Sequence, residues 1–297
     1  MGLRPGLESP ACTCRLTSPR QGYGDTAPTI SIVTPCLNAR STIERSLESV
    51  AAQRYPGLEH VVIDGQSTDG TLGILKSFAS QGAIRLVSEP DGGLAEALNK
   101  GVRIAGGDVL GLLNADDLYL PGSLDRVATA FRDHPHSWWV TGRCIIVDAE
   151  DREIRRAVTA YKDLVLRHYT YRALLTQCFV SAPSTFIAKR AFERVGLFDE
   201  SLSYAVDYDL CLRLGRQMPP LILAGDALAA FRMAGDTLSL TGFERQFAEG
   251  QDLARRYGHH DRAAVAANAL MTKGIVLTYH ALRVLRARRR DPSALRR

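Results

Sequence analysis

Two adjacent carboxylates at the end of an apolar run are the sharpest chemical feature of this 297-residue sequence. Asp108–Leu113 (DVLGLL) leads into Asn114-Ala115-Asp116-Asp117. Side-by-side acids at a strand tip repel each other unless a cation joins them to a ligand. Hard carboxylate oxygens suit Mg2+ or Mn2+, which take one or two carboxylates together with phosphate oxygens. The structural alternative is that Asp116 or Asp117 caps the turn before Pro121.

Three further acidic segments share this setting. Asp64-Gly65-Gln66-Ser67-Thr68-Asp69-Gly70-Thr71 follows the apolar run His60–Ile63. Its acids and hydroxyls can read a ribose or a base, while Ser67 and Asp69 serve equally well as helix caps. Asp91-Gly92-Gly93 opens Leu94–Ala105, where Leu94, Ala97, Leu98, Gly101, Val102 and Ala105 form one apolar face. Asn99 and Lys100 ride on that segment, and Lys100 can meet a phosphate or stay solvated. A helix that begins after Gly-Gly also presents backbone N–H groups to an anion. Asp207-Tyr208-Asp209 heads an apolar run ending at Arg213; its acids read as helix caps or as a general base, a role worth about 10²–10⁴-fold in rate.

Other chemistries are excluded by the motifs they need. The sequence holds no GxxxxGK[ST], no GxGxxG after a strand, no HExxH and no GxSxG. The six cysteines (12, 14, 36, 144, 178, 211) are scattered. Only Cys12 and Cys14 are close, and one CxC without a second pair is weak ground for a metal site.

The elements that must hold these residues alternate. Thr29–Thr34, His60–Ile63, Ala83–Val87 and Asp108–Leu113 read as strands. Ser41–Gln53, a segment starting near Ser67 or Asp69, Leu94–Ala105 and Gly122–Asp133 read as helices. That order predicts an α/β fold with a mostly parallel sheet flanked by helices, binding ligands beyond the carboxyl ends of its strands. The second half is less regular: Trp138–Val147 and Ser184–Ile187 read as strands, Lys189–Val195 and Asp207–Leu214 as helices, and the chain from Thr241 as mostly helical. The expected organisation is a disordered lead-in over 1–28, one catalytic domain over 29–240, and a helical C-terminal extension over 241–297.

Composition is that of a globular chain, 45% hydrophobic and 23% charged. The formal net charge of +5 is a property of the tail: residues 281–297 carry seven Arg against Asp291, and the remainder sums to about −1. Nucleic acid is therefore not an expected partner. No apolar run reaches the length of a spanning helix and the N-terminus lacks an apolar signal core; the expected location is the cytoplasm. Ile275, Tyr279, Leu282 and Leu285 stand at helical spacing before the arginines. Residues 271–297 thus form either a peripheral helix on an anionic membrane or a helix packed on the domain with a solvated Arg-rich end.

In order, five segments over residues 29–235 resemble the family 2 glycosyltransferases of the GT-A fold, a Rossmann-like nucleotide-diphospho-sugar transferase fold. They are Ile32-Val33-Thr34-Pro35-Cys36-Leu37-Asn38, Asp64–Thr71, Glu89-Pro90-Asp91-Gly92-Gly93 through Asn99-Lys100-Gly101, Leu113-Asn114-Ala115-Asp116-Asp117, and Gly196-Leu197-Phe198-Asp199-Glu200 leading to Asp207-Tyr208-Asp209-Leu210. The resemblance implies a nucleotide-diphosphate sugar donor, with UDP foremost, a divalent metal (Mn2+ or Mg2+), and inverting transfer to a glycan or lipid-linked acceptor in cell-surface polysaccharide or glycolipid assembly. Carried over by position, Thr34, Pro35 and Asp64 would surround the base, and Asp91, Asn99 and Lys100 would belong to the nucleotide-sugar site. Asp116 would lie nearer the ribose, Asp117 would coordinate the metal, and Asp207 would be the catalytic base. Val206 stands where the family often has Glu, which makes Asp209 a rival base, and Cys36 stands where an aromatic residue is common. Phe231–Thr237 matches a closing loop only loosely and receives no role. A nucleotidyltransferase and a non-catalytic nucleotide-sugar scaffold are the competing functions; the first would add a basic Gly-rich loop, absent after Thr34.

Overall fold

The computed structural model of the chain describes residues 27–233 and 242–290, with side chains as far as Thr278. The expectations for residues 1–26, for 234–241 and for the side chains of the Arg-rich tail lie outside the described residues.

The apolar runs form the expected strands: β1 (Ile30–Cys36), β2 (Leu58–Asp64), β3 (Arg85–Ser88) and β4 (Val109–Leu112). They are parallel, with β1 between β4 and β2 and all seven of its residues buried. Each aliphatic side chain buried there, such as Ile30, Ile32 or Val33, contributes about 1.5–3 kcal/mol. Helices α1 (Ile43–Ala51), α2 (Thr71–Ser80), α3 (Leu94–Ile104) and, after the short strand β5 (Leu118–Tyr119), α4 (Ser123–Asp133) follow these strands in turn. Helix α3 lies close on β1 because Gly101 has no side chain: a Cβ there would come within 2.3 Å of Val33 Cγ1.

The second half completes two sheets. The run expected as one strand over Trp138–Val147 divides at Arg143 into β6 (Trp139–Gly142) and β7 (Cys144–Val147), which belong to different sheets. Gly142 makes the crossing: a side chain there would strike Leu228, 2.7 Å away. Strand β8 (Glu153–Ile154) and helices α5 (Arg156–Arg167) and α6 (Tyr171–Thr176) precede a 3-10 turn over Ala182–Ser184 and β9 (Thr185–Ala188). Then come α7 (Lys189–Val195), α8 (Val206–Gln217), β10 (Leu221–Leu223) and β11 (Ala229–Arg232). The seven-stranded sheet runs β10-β6-β9-β4-β1-β2-β3, parallel except for β9, and the four-stranded sheet runs β5-β11-β7-β8.

The chain ends in α9 (Phe243–Tyr257) and α10 (Arg262–Arg290). Asn268 on α10 donates to the carbonyls of Leu175 and Thr176 at 3.2 Å, so these helices are bound to α6. None of the described helices is long and apolar enough to cross a membrane.

Candidate functional site

Strands β1, β2 and β3 end in register, with Cys36 opposite Asp64 and Asp64 opposite Ser88. Asp64 is buried and accepts from Ser67 Oγ at 2.5 Å, Ser88 Oγ at 2.7 Å and the Ser67 N–H at 3.2 Å. Its neighbour Gly65 leaves room for the next loop: a Cβ would lie 2.6 Å from Asp91 Oδ2. Asp91 in turn accepts from Gly93 N–H at 3.0 Å, and Gly93 sits at φ +131°, where a side chain would be strained. Asp64 and Asp91 are thus brought together at one mouth. Ser67 and Asp69 act as staples: Ser67 Oγ accepts from Asn38 N–H and Asp69 Oδ2 from Arg40 N–H.

Four residues expected at this mouth are committed elsewhere. Thr34 is fully buried with Oγ1 2.9 Å from His60 Nε2, and Pro35 is buried beside it in β1, because strand pairing keeps both inside the sheet. Burial pushes the His60 pKa down to about 3, so its ring is neutral. Asn99 is buried on α3 with both ends of its amide in use: Oδ1 accepts from Phe198 N–H at 2.9 Å, and Nδ2 donates to Phe198 O and to Glu200. It joins α3 to the 198–200 segment. Lys100 pairs with Glu89 and Glu96 at 3.0 Å and donates to Pro90 O at 2.7 Å. Its ammonium is neutralised while it props the Asp91 loop.

The acid pair divides. Burial alternates along 114–119, with Asn114 and Asp116 on the open side and Ala115, Asp117 and Tyr119 inside. Asp117 is completely buried; Oδ1 accepts from Arg232 N–H at 2.9 Å and Oδ2 from Asn114 Nδ2 at 3.1 Å. Burial raises both carboxyl groups above the usual range, Asp117 further because the Asp116 charge adds to it. Asp117 is thus enclosed by two donors, and Asp116 is the carboxylate with an open side. A divalent cation fits there, since it would relieve the buried charge of Asp116. Among the described residues there is no group of three metal-ligating side chains. Its remaining ligands would be phosphate oxygens and water, as Mg2+ and Mn2+ accept.

Arg232, which sequence reasoning left without a role, is the buried partner of this pair. Its Nε donates to Asp116 O at 2.9 Å, Nη1 to the carbonyls of Asp148 and Ala149, and Nη2 pairs with Asp151 at 2.5 Å. The available signal was an arginine closing an otherwise apolar run, Ala229–Phe231.

Asp207 stands in the first turn of α8, partly exposed, with Oδ1 accepting from Tyr208 N–H at 2.8 Å. No described residue donates to Oδ2. Burial raises its pKa, and the Lys162 ammonium of α5 pulls it partly back. Lys162 also donates to Ser181 Oγ at 3.3 Å. Asp209, the rival base, is closed. Arg213 holds Oδ2 at 2.7–2.8 Å, and Tyr257 Oη donates to Oδ1 at 2.7 Å. Burial pushes the Cys36, Cys144 and Cys178 thiols up to about 12, which removes them as nucleophiles.

Comparison with known proteins bears on the family and the fold. Residues 31–196 match the family model described as Glycosyl transferase family 2. A chondroitin synthase of Escherichia coli is 29% identical over 197 residues, covering 65% of this chain and 27% of that protein. The chain therefore spans about a quarter of the length of that relative. Among solved structures, S. aureus TarS 1–349 in complex with UDP-GlcNAc has a similar fold, with TM-score 0.59, 20% identity, and coverage of 76% of this chain and 66% of that one. So does the mannosyltransferase PcManGT from Pyrobaculum calidifontis in complex with GDP-Man and Mn2+, with TM-score 0.60, 21% identity, and coverage of 92% and 88%.

Proposed function

The chain belongs to glycosyl transferase family 2, and we propose that it moves a sugar, with inversion, from a nucleoside-diphosphate donor to a hydroxyl of a glycan or lipid-linked acceptor. The observation that carries this is the contrast among its acids. Asp64, Asp117 and Asp209 are buried and hydrogen-bonded within the protein, while Asp116 and Asp207 are partly exposed.

Asp207 acts as the base. A carboxyl raised by burial, with no described residue donating to Oδ2, accepts the acceptor hydroxyl proton as that oxygen bonds to the anomeric carbon. The bond from that carbon to the diphosphate oxygen breaks on the opposite face, and the nucleoside diphosphate leaves with the electron pair. A single displacement inverts the centre and needs no protein nucleophile. The Asp64–Asp91 mouth, stapled by Ser67 and Ser88, shapes the seat for base and ribose. Asp116 would hold a Mn2+ or Mg2+ ion, which when bound neutralises charge on the departing diphosphate.

The donor is a UDP- or GDP-sugar, the two classes named for the structural neighbours, with UDP placed first; the acceptor belongs to cell-surface polysaccharide or glycolipid assembly, on the similarity to a chondroitin synthase. Exposed Leu270 (74%) and Leu277 (68%) on α10, ahead of the Arg-rich sequence, support contact with an anionic membrane at its inner face. The decisive experiment is a thermal-shift panel of UDP, GDP, dTDP and CDP with and without Mn2+. Stabilisation by one diphosphate only with Mn2+ is expected, and no shift in any condition would overturn the proposal. Deleting 281–297 is expected to reduce sedimentation with anionic liposomes; unchanged sedimentation would remove the membrane contact.

A further inference from the structure

The turn that presents Asp207 lacks a cap of its own. The residue preceding α8 is Ala205, which has no side chain able to accept a hydrogen bond, and none caps the helix locally. The backbone N–H groups of Ser203, Tyr204 and Ala205 nevertheless converge on one carboxylate from another helix. Glu249 of α9 accepts from Ser203 on Oε1 at 3.1 Å, and from Tyr204 and Ala205 on Oε2 at 2.8 Å each. Charge-assisted bonds of this kind are about twice as strong as neutral ones.

The rest of α9 continues the contact. Gly242, just before the helix, faces the Tyr204 ring so closely that a Cβ would fall 2.0 Å from Cε1. One position after Glu249, a Cβ at Gly250 would rest 3.8 Å from the Tyr208 ring. At the far end Tyr257 donates to Asp209. Positions 242, 249–250 and 257 recur about every two helical turns, so one face of α9 lies along the turn and the start of α8. The family match ends at residue 196, well before any of them.

We propose that Glu249 is a positioning residue for the Asp207 base, which rests on the glycosyltransfer reading above and makes α9 part of the catalytic unit. By clamping three consecutive N–H groups two to four residues before Asp207, Glu249 fixes where the carboxylate stands relative to the acceptor hydroxyl. A displacement of about 1 Å at such a point costs on the order of 10²-fold in rate. Nucleotide binding at the ends of β1–β4 does not pass through this contact.

The test compares Glu249→Ala and the gentler Glu249→Gln with the full-length chain, and uses Asp252→Ala, an exposed position on the same helix, as control. Release of nucleoside diphosphate from UDP-GlcNAc and from GDP-mannose gives kcat and KM; Mn2+-dependent thermal shift with UDP or GDP gives binding. The expected result is a roughly 10–100-fold fall in kcat for Glu249→Ala and a smaller fall for Glu249→Gln. KM for the donor and the nucleotide shift should stay within about twofold, and Asp252→Ala should match wild type. Undiminished kcat in both Glu249 variants overturns the proposal, as does a parallel loss of kcat, nucleotide binding and melting temperature in Glu249→Gln, which would mark a purely structural contact. A wild-type chain that neither binds a nucleotide nor releases one overturns the glycosyltransfer reading itself and the proposal with it.

Discussion

The mouth at the ends of β1–β4 and the turn at the head of α8 both hold carboxylates in place, but they do so with different materials. At the mouth the fastening is among nearby loops: Asp64 is tied to Ser67 and Ser88, Asp91 to Gly93, and Asn38 to Ser67 and Thr68. At the α8 turn it comes from afar. Glu249 reaches back to residues 203–205, Tyr257 to Asp209, and Asn99 forward to Phe198. Around Asp64 and Asp91 the motifs carry their own scaffolding, while Asp117 at the end of β4 depends on the Arg232 N–H from β11. The second is an acid on a turn without a local cap, placed by helices α3 and α9, which precede and follow that turn in the chain. On the proposed roles, with the donor at the mouth and Asp207 as the base, mutations should move donor binding and base placement one without the other.

The largest expected effect is on the second region alone. Asp207→Asn should lower transfer by about 10²–10⁴-fold while leaving the Mn2+-dependent thermal shift with the nucleoside diphosphate intact. If binding fell with transfer, the two regions would not be separable. Next is the mouth. Asp116→Asn should abolish the Mn2+ dependence of the shift and cut transfer by about 10²–10³-fold, the size of losing one electrostatic stabiliser. Asp117→Asn should act mainly on melting temperature, since that carboxylate is sealed. Equal loss of Mn2+ response in both variants would return Asp117 to the metal.

Third is the link between the regions. Asn99→Ala leaves the buried N–H and C=O of Phe198 without their partner, at about 2–4 kcal/mol, read as a melting temperature lower by several degrees. KM for the donor should hold; a raised KM with unchanged stability would put Asn99 back in the nucleotide site. The smallest effect concerns pH. The folded-state pKa of Asp207 is raised, so above the unfolded carboxylate value the native state binds more protons than the unfolded one and stability falls as pH rises through that window. Asp207→Asn should therefore melt higher than wild type at neutral pH, with the gap closing toward pH 4. On the same shift, transfer should lose activity on the acid side at a pH above the ordinary carboxylate range.

The strand-end acids and the parallel order of β1–β4 were legible because both are local: short apolar runs, of which β2, β3 and β4 lead directly into acids. The assignment within them was less so. Thr34 and Asn99 are the polar residues a nucleotide would use, but Thr34 alternates inward along β1 toward His60, and Asn99 lies on the buried face of α3. Asp116 and Asp117 are indistinguishable by type; their difference is one step of strand alternation plus the Arg232 N–H arriving from β11. Arg143 marks the same limit: Gly142-Arg143 interrupts the run, but the interruption does not say that β6 and β7 belong to different sheets.

What the amino-acid order determined by itself is the alternating α/β framework, the acids at its strand tips and an acid at the start of α8, because period, polarity and turn chemistry act over a few residues. Tertiary structure alone decided which of those acids stay open. A carboxylate's availability depends on which N–H and O–H donors and cations reach it, and here they come from residues up to 115 positions away, Arg232 for Asp117 and Tyr257 for Asp209 among them.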